Sequence, residues 1–220
     1  MGAEVRKIVR DGWPISHAIA TDLEAGMGPA RCLHSYVKIM FCLGTGFWDL
    51  GHKLFRSTPE TFPVKFLAGD AFDDAHLSLT ASVPSGPSPP VRSVNTLTEL
   101  RGHISVIHAS SLFHLFNEEK QFELGKRVAA LLDPRPGSII FGSHGGMPVK
   151  GQRQGIFRKM FCHSSETWAQ MWEEQIFEKG QVKVNTVLRE ANMMAERLGR
   201  AIPIEQGAKF YVLAWSVERL

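Results

Sequence analysis

The chain has 220 residues, 44% of them hydrophobic, and a formal net charge of +3 at pH 7. That supplies core material for one domain, while basic residues scattered rather than bunched argue against a phosphate-binding face and so against nucleic acid. The cysteines Cys32, Cys42 and Cys162 show no metal-ligand spacing and read as reduced thiols of an intracellular protein.

In chain order, residues 3–11 read as a short helix with Val5, Ile8 and Val9 on one face, stopped by Gly12 and Pro14. Glu4, Arg6, Lys7 and Arg10 interrupt any secretory signal there. His17 to Thr21 is a short buried strand ending at Asp22-Leu23. Gly26 to Gly46 is a connection roughly four times longer than a tight α/β unit uses. It reads either as an extra helix or lid, or as an insertion foreign to the fold. Its most apolar part, Ile39 to Trp48, is about half of the ~20 residues that span a bilayer. No membrane partner is expected, and the expected location is the cytoplasm.

Phe47 to Phe55 resumes helical spacing, Val64 to Ala68 is the next strand, and the proline-rich Ala81 to Arg92 is a surface loop. Strand and helix then alternate. Ile104 to His108 is a strand, and Asn117 caps a helix running to Leu132. Asp133-Pro-Arg-Pro-Gly137 breaks that helix before a strand over Ser138 to Gly142. Ser164-Ser-Glu-Thr opens a helix carrying Trp168, Met171 and Trp172. Val182 to Leu188 reads as a strand, Arg189 to Arg200 as a helix and Phe210 to Val217 as the final strand. This alternation predicts a mostly parallel sheet covered on both faces.

Asp22 and Asp70 each close an apolar strand, and open α/β sheets bind ligands outside that carboxyl edge. Two carboxylates one strand apart suit a nucleoside, one accepting from ribose hydroxyls and the other from an adenine amino group. Either could instead cap a helix or open a turn. His108, His114 and His144 fall at or just beyond the ends of the next two strands, where an imidazole can accept a proton near neutral pH or serve as a hydrogen-bonded edge residue. Ser143 lacks the nucleophile-elbow glycine at position 141, which is Phe, and Gly145-Gly146 reads as a flexible turn at the cleft mouth. Cys162-His163 lacks zinc-site spacing, so no metal is expected. Trp168 and Trp172, one helical turn apart, either pack the core or wall an apolar pocket. The same choice applies to Phe113 and Phe116, and Asp73-Asp74 reads as a solvated turn.

The ordered stretches His17–Leu23, Phe47–Phe55, Phe66–Phe72, Ile107–Phe116 and Gly137–Gly146 resemble fungal class I S-adenosylmethionine-dependent methyltransferases, above all those of polyketide and meroterpenoid pathways. The resemblance covers nearly all of the chain outside 26–46. It implies a Rossmann-like domain over residues 1–220, with 26–46 as an insertion and an antiparallel last strand. It also implies S-adenosylmethionine as cofactor and a small, largely apolar metabolite as substrate, methylated on a carboxyl or hydroxyl oxygen. By the same resemblance, Asp22 and Leu23 hold the ribose, Asp70, Ala71 and Phe72 grip the adenine, and His108 and Ala109 lie beneath the sulfonium. Gly2 stands where the tail of a Gly-rich turn would be, and the central strand before that turn is missing. His114 and His144 are the candidate catalytic bases. Two rivals stand beside this reading: a non-catalytic remnant or interaction protein, and an NAD(P)-linked oxidoreductase, the latter disfavoured because no G-x-G-x-x-G precedes Asp22.

Overall fold

A computed structural model describes residues 3–22, 41–42, 45–83, 85–154, 159–191 and 209–220. The regular elements are α1 (Ala3–Arg10), β1 (Ile19–Asp22), β2 (Phe41–Cys42), α2 (Thr45–Leu54), β3 (Lys65–Leu67) and β4 (Val106–His108). They continue with α3 (Glu118–Leu131), β5 (Ile139–Gly146), β6 (Gly151–Gln154), β7 (Lys159–Cys162), α4 (Ser165–Gln170), β8 (Val182–Glu190) and β9 (Tyr211–Arg219).

Local chemistry explains the boundaries. Gly12, at φ +106°, ends α1 because only glycine takes that backbone without strain. Asn117 accepts a hydrogen bond from the Lys120 N–H at the start of α3, and Ser164 does the same for Thr167 at the start of α4. Past Gln170 the α4 backbone widens into a π-helical turn, Met171–Ile176. Along β9, Leu213, Trp215 and Val217 are buried at every second position, the period of a strand with one face in the core.

The described strands do not form the single, mostly parallel sheet expected. One sheet, in the order β2-β1-β3, is wholly parallel. A second, in the order β4-β5-β9-β8, has a parallel pair (β4 with β5) followed by two antiparallel ones. β6 and β7 form a separate antiparallel hairpin that the sequence reading missed, because polar Gly151-Gln-Arg-Gln154 carries no apolar alternation. The antiparallel last strand is as expected. Among the described residues no strand joins β1 to β4. The long connection contributes β2, which pairs through Phe41 and Cys42 with the β1 edge opposite β3.

Three further differences are local. His17 belongs to a 3-10 turn, so β1 begins at Ile19. Gly145 and Gly146 are not a turn: β5 runs on to Gly146, paired with β9. A Cβ on Gly142 would lie 2.1 Å from the Ala109 carbonyl oxygen, and one on Gly146 2.8 Å from Leu213 Cβ, so glycine there allows close packing rather than flexibility. Arg189 and Glu190 extend β8, and the remainder of the helix expected to Arg200 lies outside the described residues from 192 onward.

The main core joins Ile107, Ile140, Leu213, Trp215 and Val217 of the mixed sheet to Leu124, Val128 and Leu131 of α3 and to Trp168 and Trp172. Leu67, Ala71 and Leu77, from β3 and the loop after it, reach the same core. Trp168 and Trp172 have no exposed surface, and each such burial stabilises by roughly 1.5–3 kcal/mol. Val5, Ala18, Ala20, Trp48, Phe62 and Val64 form a second, smaller cluster around α1, β1 and α2. Among the described residues no helix is long and apolar enough to cross a membrane.

Candidate functional site

Parallel pairing places the candidate groups. Thr21 is in register with Leu67, so Asp22 and Asp70 leave neighbouring strands at the same carboxyl edge, where strands are about 4.8 Å apart. His108 is in register with Phe141, so the chain leaving β4 at His108-Ala-Ser-Ser111 runs beside Ser143-His144, which continue within β5.

After β3 the chain turns at Gly69-Asp70. Asp70 Oδ1 accepts the Phe72 N–H at 2.8 Å, so the turn-forming role is real, and Oδ2 has no partner among the described residues. Ala71 is fully buried, and the Phe72 ring packs edge-on against Phe116 with the Lys120 ammonium 4.1 Å from its centroid. The Asp22 backbone closes β1. Its side chain, Leu23 and Gly2 lie outside the described residues.

At the end of β4 the His108 ring lies 4.9 Å from that of Phe141, and its Nε2 is 2.8 Å from Ser110 Oγ. Ser110 Oγ accepts the Ser143 N–H at 3.0 Å, so one hydroxyl links His108 to the β5 backbone. Ala109 is buried, its N–H donating to the Phe141 carbonyl, and Ser111 donates to the Ser143 carbonyl from a left-handed backbone at φ +56°. That conformation is costly for a serine and marks a tightly determined corner.

His114 sits in a 3-10 turn, Phe113–Leu115, half-buried, with its ring 6.4 Å from that of His144. His144 is wholly enclosed. Trp215 Nε1–H donates to its Nδ1 at 3.0 Å, so the proton of the neutral ring resides on Nε2. Burial holds its pKa well below the ordinary histidine value, with His114 and His163 acting in the same sense. His144 therefore presents an N–H at neutral pH, and its proton-accepting nitrogen is already engaged.

Trp168 contacts His144, Phe113 and Trp215 at ring distances of 4.5–4.9 Å, which places Trp168 and Trp172 in the core rather than at a pocket wall. Phe113 is in the core with them, and Phe116 packs against its rim. Burial pushes the Cys162 thiol up to about 11 and the His163 imidazole down to about 4, leaving both uncharged at neutral pH. Among the described residues no group of three or more His, Cys, Asp or Glu side chains could hold a metal.

Two residues were missed by the sequence reading. Ser110 had no signal beyond lying two positions after His108. His76 is buried between the carboxyl ends of β1 and β3, its Nε2 3.4 Å from Thr21 Oγ1 and its ring against Gly69. The glycine before Asp70 was the available clue to it.

Asp22 and Asp70 stand at the carboxyl ends of parallel strands in one sheet and His108 and Ser110 at that of β4 in the other, the edge at which α/β folds bind ligands. The chain is homologous to fungal O-methyltransferases. It is 35% identical to an O-methyltransferase of a fungal species over 140 residues, 63% of this chain and 40% of that protein. It is 24% identical to the asnovolin E/chermesin D methyltransferase of Aspergillus novofumigatus over 176 residues, 79% of this chain and 49% of that protein. A methyltransferase of Penicillium rubens is 23% identical over 221 aligned positions, 99% of this chain and 63% of its own length. The chain thus spans less than two thirds of each of these relatives. No family model matches it.

Proposed function

We propose that this chain transfers a methyl group from S-adenosylmethionine to an oxygen of a small, largely apolar metabolite, as a single Rossmann-like domain over residues 1–220. The observation carrying this reading is the register of Thr21 with Leu67, which brings the Asp22 and Asp70 strand ends side by side. Relatives named O-methyltransferases support oxygen as the accepting atom. The relative named for asnovolin E and chermesin D supports a small organic acceptor.

The residues fit the nucleoside half of such a donor. Asp70 keeps Oδ2 without a described partner beside a fully buried Ala71, which suits an amino group presented at a partly sheltered edge. Asp22, one strand over, is the carboxylate for the ribose hydroxyls, and the His108–Ala109 corner faces the reactive end. When bound, the donor supplies an activated methyl group carried on a sulfonium.

The protein's part is positioning and exclusion of water. Methyl transfer is an in-line displacement, so holding the acceptor oxygen against the methyl carbon is the main contribution. The donor would supply the methyl to the acceptor oxygen and would depart as a neutral thioether. A carboxylate acceptor needs no base. For a hydroxyl, His114 is the proton acceptor we assign, because His144 already uses its Nδ1 lone pair for Trp215. His144, enclosed in the core behind it, stays out of the proton transfer.

Calorimetric titration of S-adenosylmethionine and S-adenosylhomocysteine into the chain tests this. Binding in the micromolar range is expected, weakened at least tenfold by Asp22→Ala or Asp70→Ala. Absence of binding by the unmodified chain would reject the methyltransferase reading in favour of a relative that keeps the fold without the donor.

A further inference from the structure

We infer that His76 is the positioning residue for the nucleoside end of the methyl donor, locking the Gly69-Asp70 turn of β3 against the end of the Asp22-bearing strand. The inference rests on the donor site proposed above. Three observations carry it. First, the imidazole occupies the space above Gly69: a Cβ there would stand 2.3 Å from His76 Nδ1 and 2.4 Å from Cγ. Glycine at 69 is thus the condition for the ring to lie against the backbone one residue before Asp70.

Second, the ring touches the neighbouring strand. Thr21 Oγ1 donates its proton to the Leu67 carbonyl at 2.8 Å, so its approach to His76 Nε2 at 3.4 Å requires the N–H on the histidine. The contact sits one residue before Asp22. A single side chain therefore meets both strand ends that carry the proposed ligand carboxylates.

Third, the backbone of His76 is pinned on both sides. Its N–H donates to the Asp73 carbonyl, and its own carbonyl accepts from the N–H and the hydroxyl of Thr98. These bonds fix the main chain from which the ring reaches Gly69. Burial lowers its pKa, although Asp73 and Asp70 pull the other way, and Nε2 keeps its proton for Thr21 in either form. His76 makes no ion pair among the described residues. A buried ring that meets both strand ends acts by holding them in place.

The test is titration of S-adenosylhomocysteine and of adenosine into the full chain and into His76→Leu and His76→Gln, with thermal melting of all three. His76→Leu keeps the bulk and removes the N–H; His76→Gln restores an N–H near the position of Nε2. The expected result is a loss of tenfold or more for both ligands, by the same factor, in His76→Leu. Affinity in His76→Gln should return to within about threefold, with both variants melting within a few degrees of the parent. Unchanged affinity in His76→Leu overturns the inference while leaving the donor site standing. So does a loss that Gln fails to restore, or one that tracks a large fall in melting temperature, because a packing role alone predicts those. An unmodified chain that binds neither ligand removes the donor site and this inference with it.

Discussion

The indole N–H of Trp215 on β9 donates to Nδ1 of His144 on β5 across 3.0 Å, with no solvent reaching the imidazole nitrogens. This bond fixes the tautomer of a histidine that would otherwise be a natural proton acceptor. It also ties together two strands through side chains as well as through their backbone ladder. Trp215→Phe removes the donor and leaves a buried nitrogen unsatisfied, at a cost of about 1–3 kcal/mol. Urea unfolding should show that loss, and Trp215→Phe combined with His144→Phe should cost less than the sum of the two single changes. Strict additivity would mean the bond contributes nothing.

Acid should weaken the fold well before the carboxylates protonate. His163 titrates near 6.5 when unfolded and near 4 when folded, so between these values the unfolded chain holds the extra proton. Stability is therefore complete above about pH 6.5 and falls by about 1.4 kcal/mol per pH unit below it, about 3 kcal/mol in all by pH 4. His144 acts in the same direction. Denaturant midpoints at pH 7.5 and 5.0 should converge in His163→Phe relative to the parent. An equal acid loss in both would show that His163 is not the source.

Two glycines of the same strand should respond differently to one methyl group. A Cβ at Gly142 meets the Ala109 backbone oxygen at 2.1 Å, where neither strand can yield, whereas one at Gly145 meets Cys162 Sγ at an ordinary 3.7 Å. Gly142→Ala should cost about 3 kcal/mol or more and loosen the His108–Ser111 corner. Gly145→Ala should change stability by no more than about 1 kcal/mol. Amide hydrogen exchange at Ala109 and Ser111 reports the corner directly, and equal protection in the two variants would contradict the geometry.

Arg127 of α3 is buried and binds the Leu77 carbonyl at 2.6 Å, Asp74 at 2.9 Å and Glu123 at 3.1 Å. It fastens the loop after β3, which carries Asp70 and His76, to the helix. In Arg127→Met the two carboxylates left behind are reached by water, so the main loss is the buried carbonyl's partner, about 1–3 kcal/mol. Thermal melting gives the size of the effect. Faster exchange confined to residues 70–77 would place it, and uniform loosening would argue against this role.

Legibility followed the range of the forces involved. Asn117 and Ser164 as caps, Gly12 as a stop, and the strands leading to Asp22 and Asp70 were readable because capping and strand termination are settled within a few residues. The turn at Asp70 was open in the sequence only as one alternative to a ligand role, beside helix capping. The length of β5 was not. Gly145-Gly146 looks like a turn until β9 and Leu188 are seen packed against it, and that contact is made by residues more than 40 positions later. The β6–β7 hairpin was invisible because both its strands are short and the first is polar. His144 shows the same limit in chemical form. The sequence offers a histidine at a strand end, and only the position of Trp215, 71 residues on, makes it a donor rather than a base.

The sequence by itself marked most of the helices and strands, the two aspartates at or just beyond the ends of neighbouring strands, and the kinship with fungal methyltransferases. Periodicity, capping and turn chemistry are local and leave their mark in consecutive residues. The tertiary structure alone decided the division of the described strands into a parallel and a mixed sheet, the burial of Trp168 and Trp172, and the wedging of His76 over Gly69. Those outcomes depend on which distant surfaces meet, and a contact across 55 residues, as between Thr21 and His76, has no local pattern to announce it.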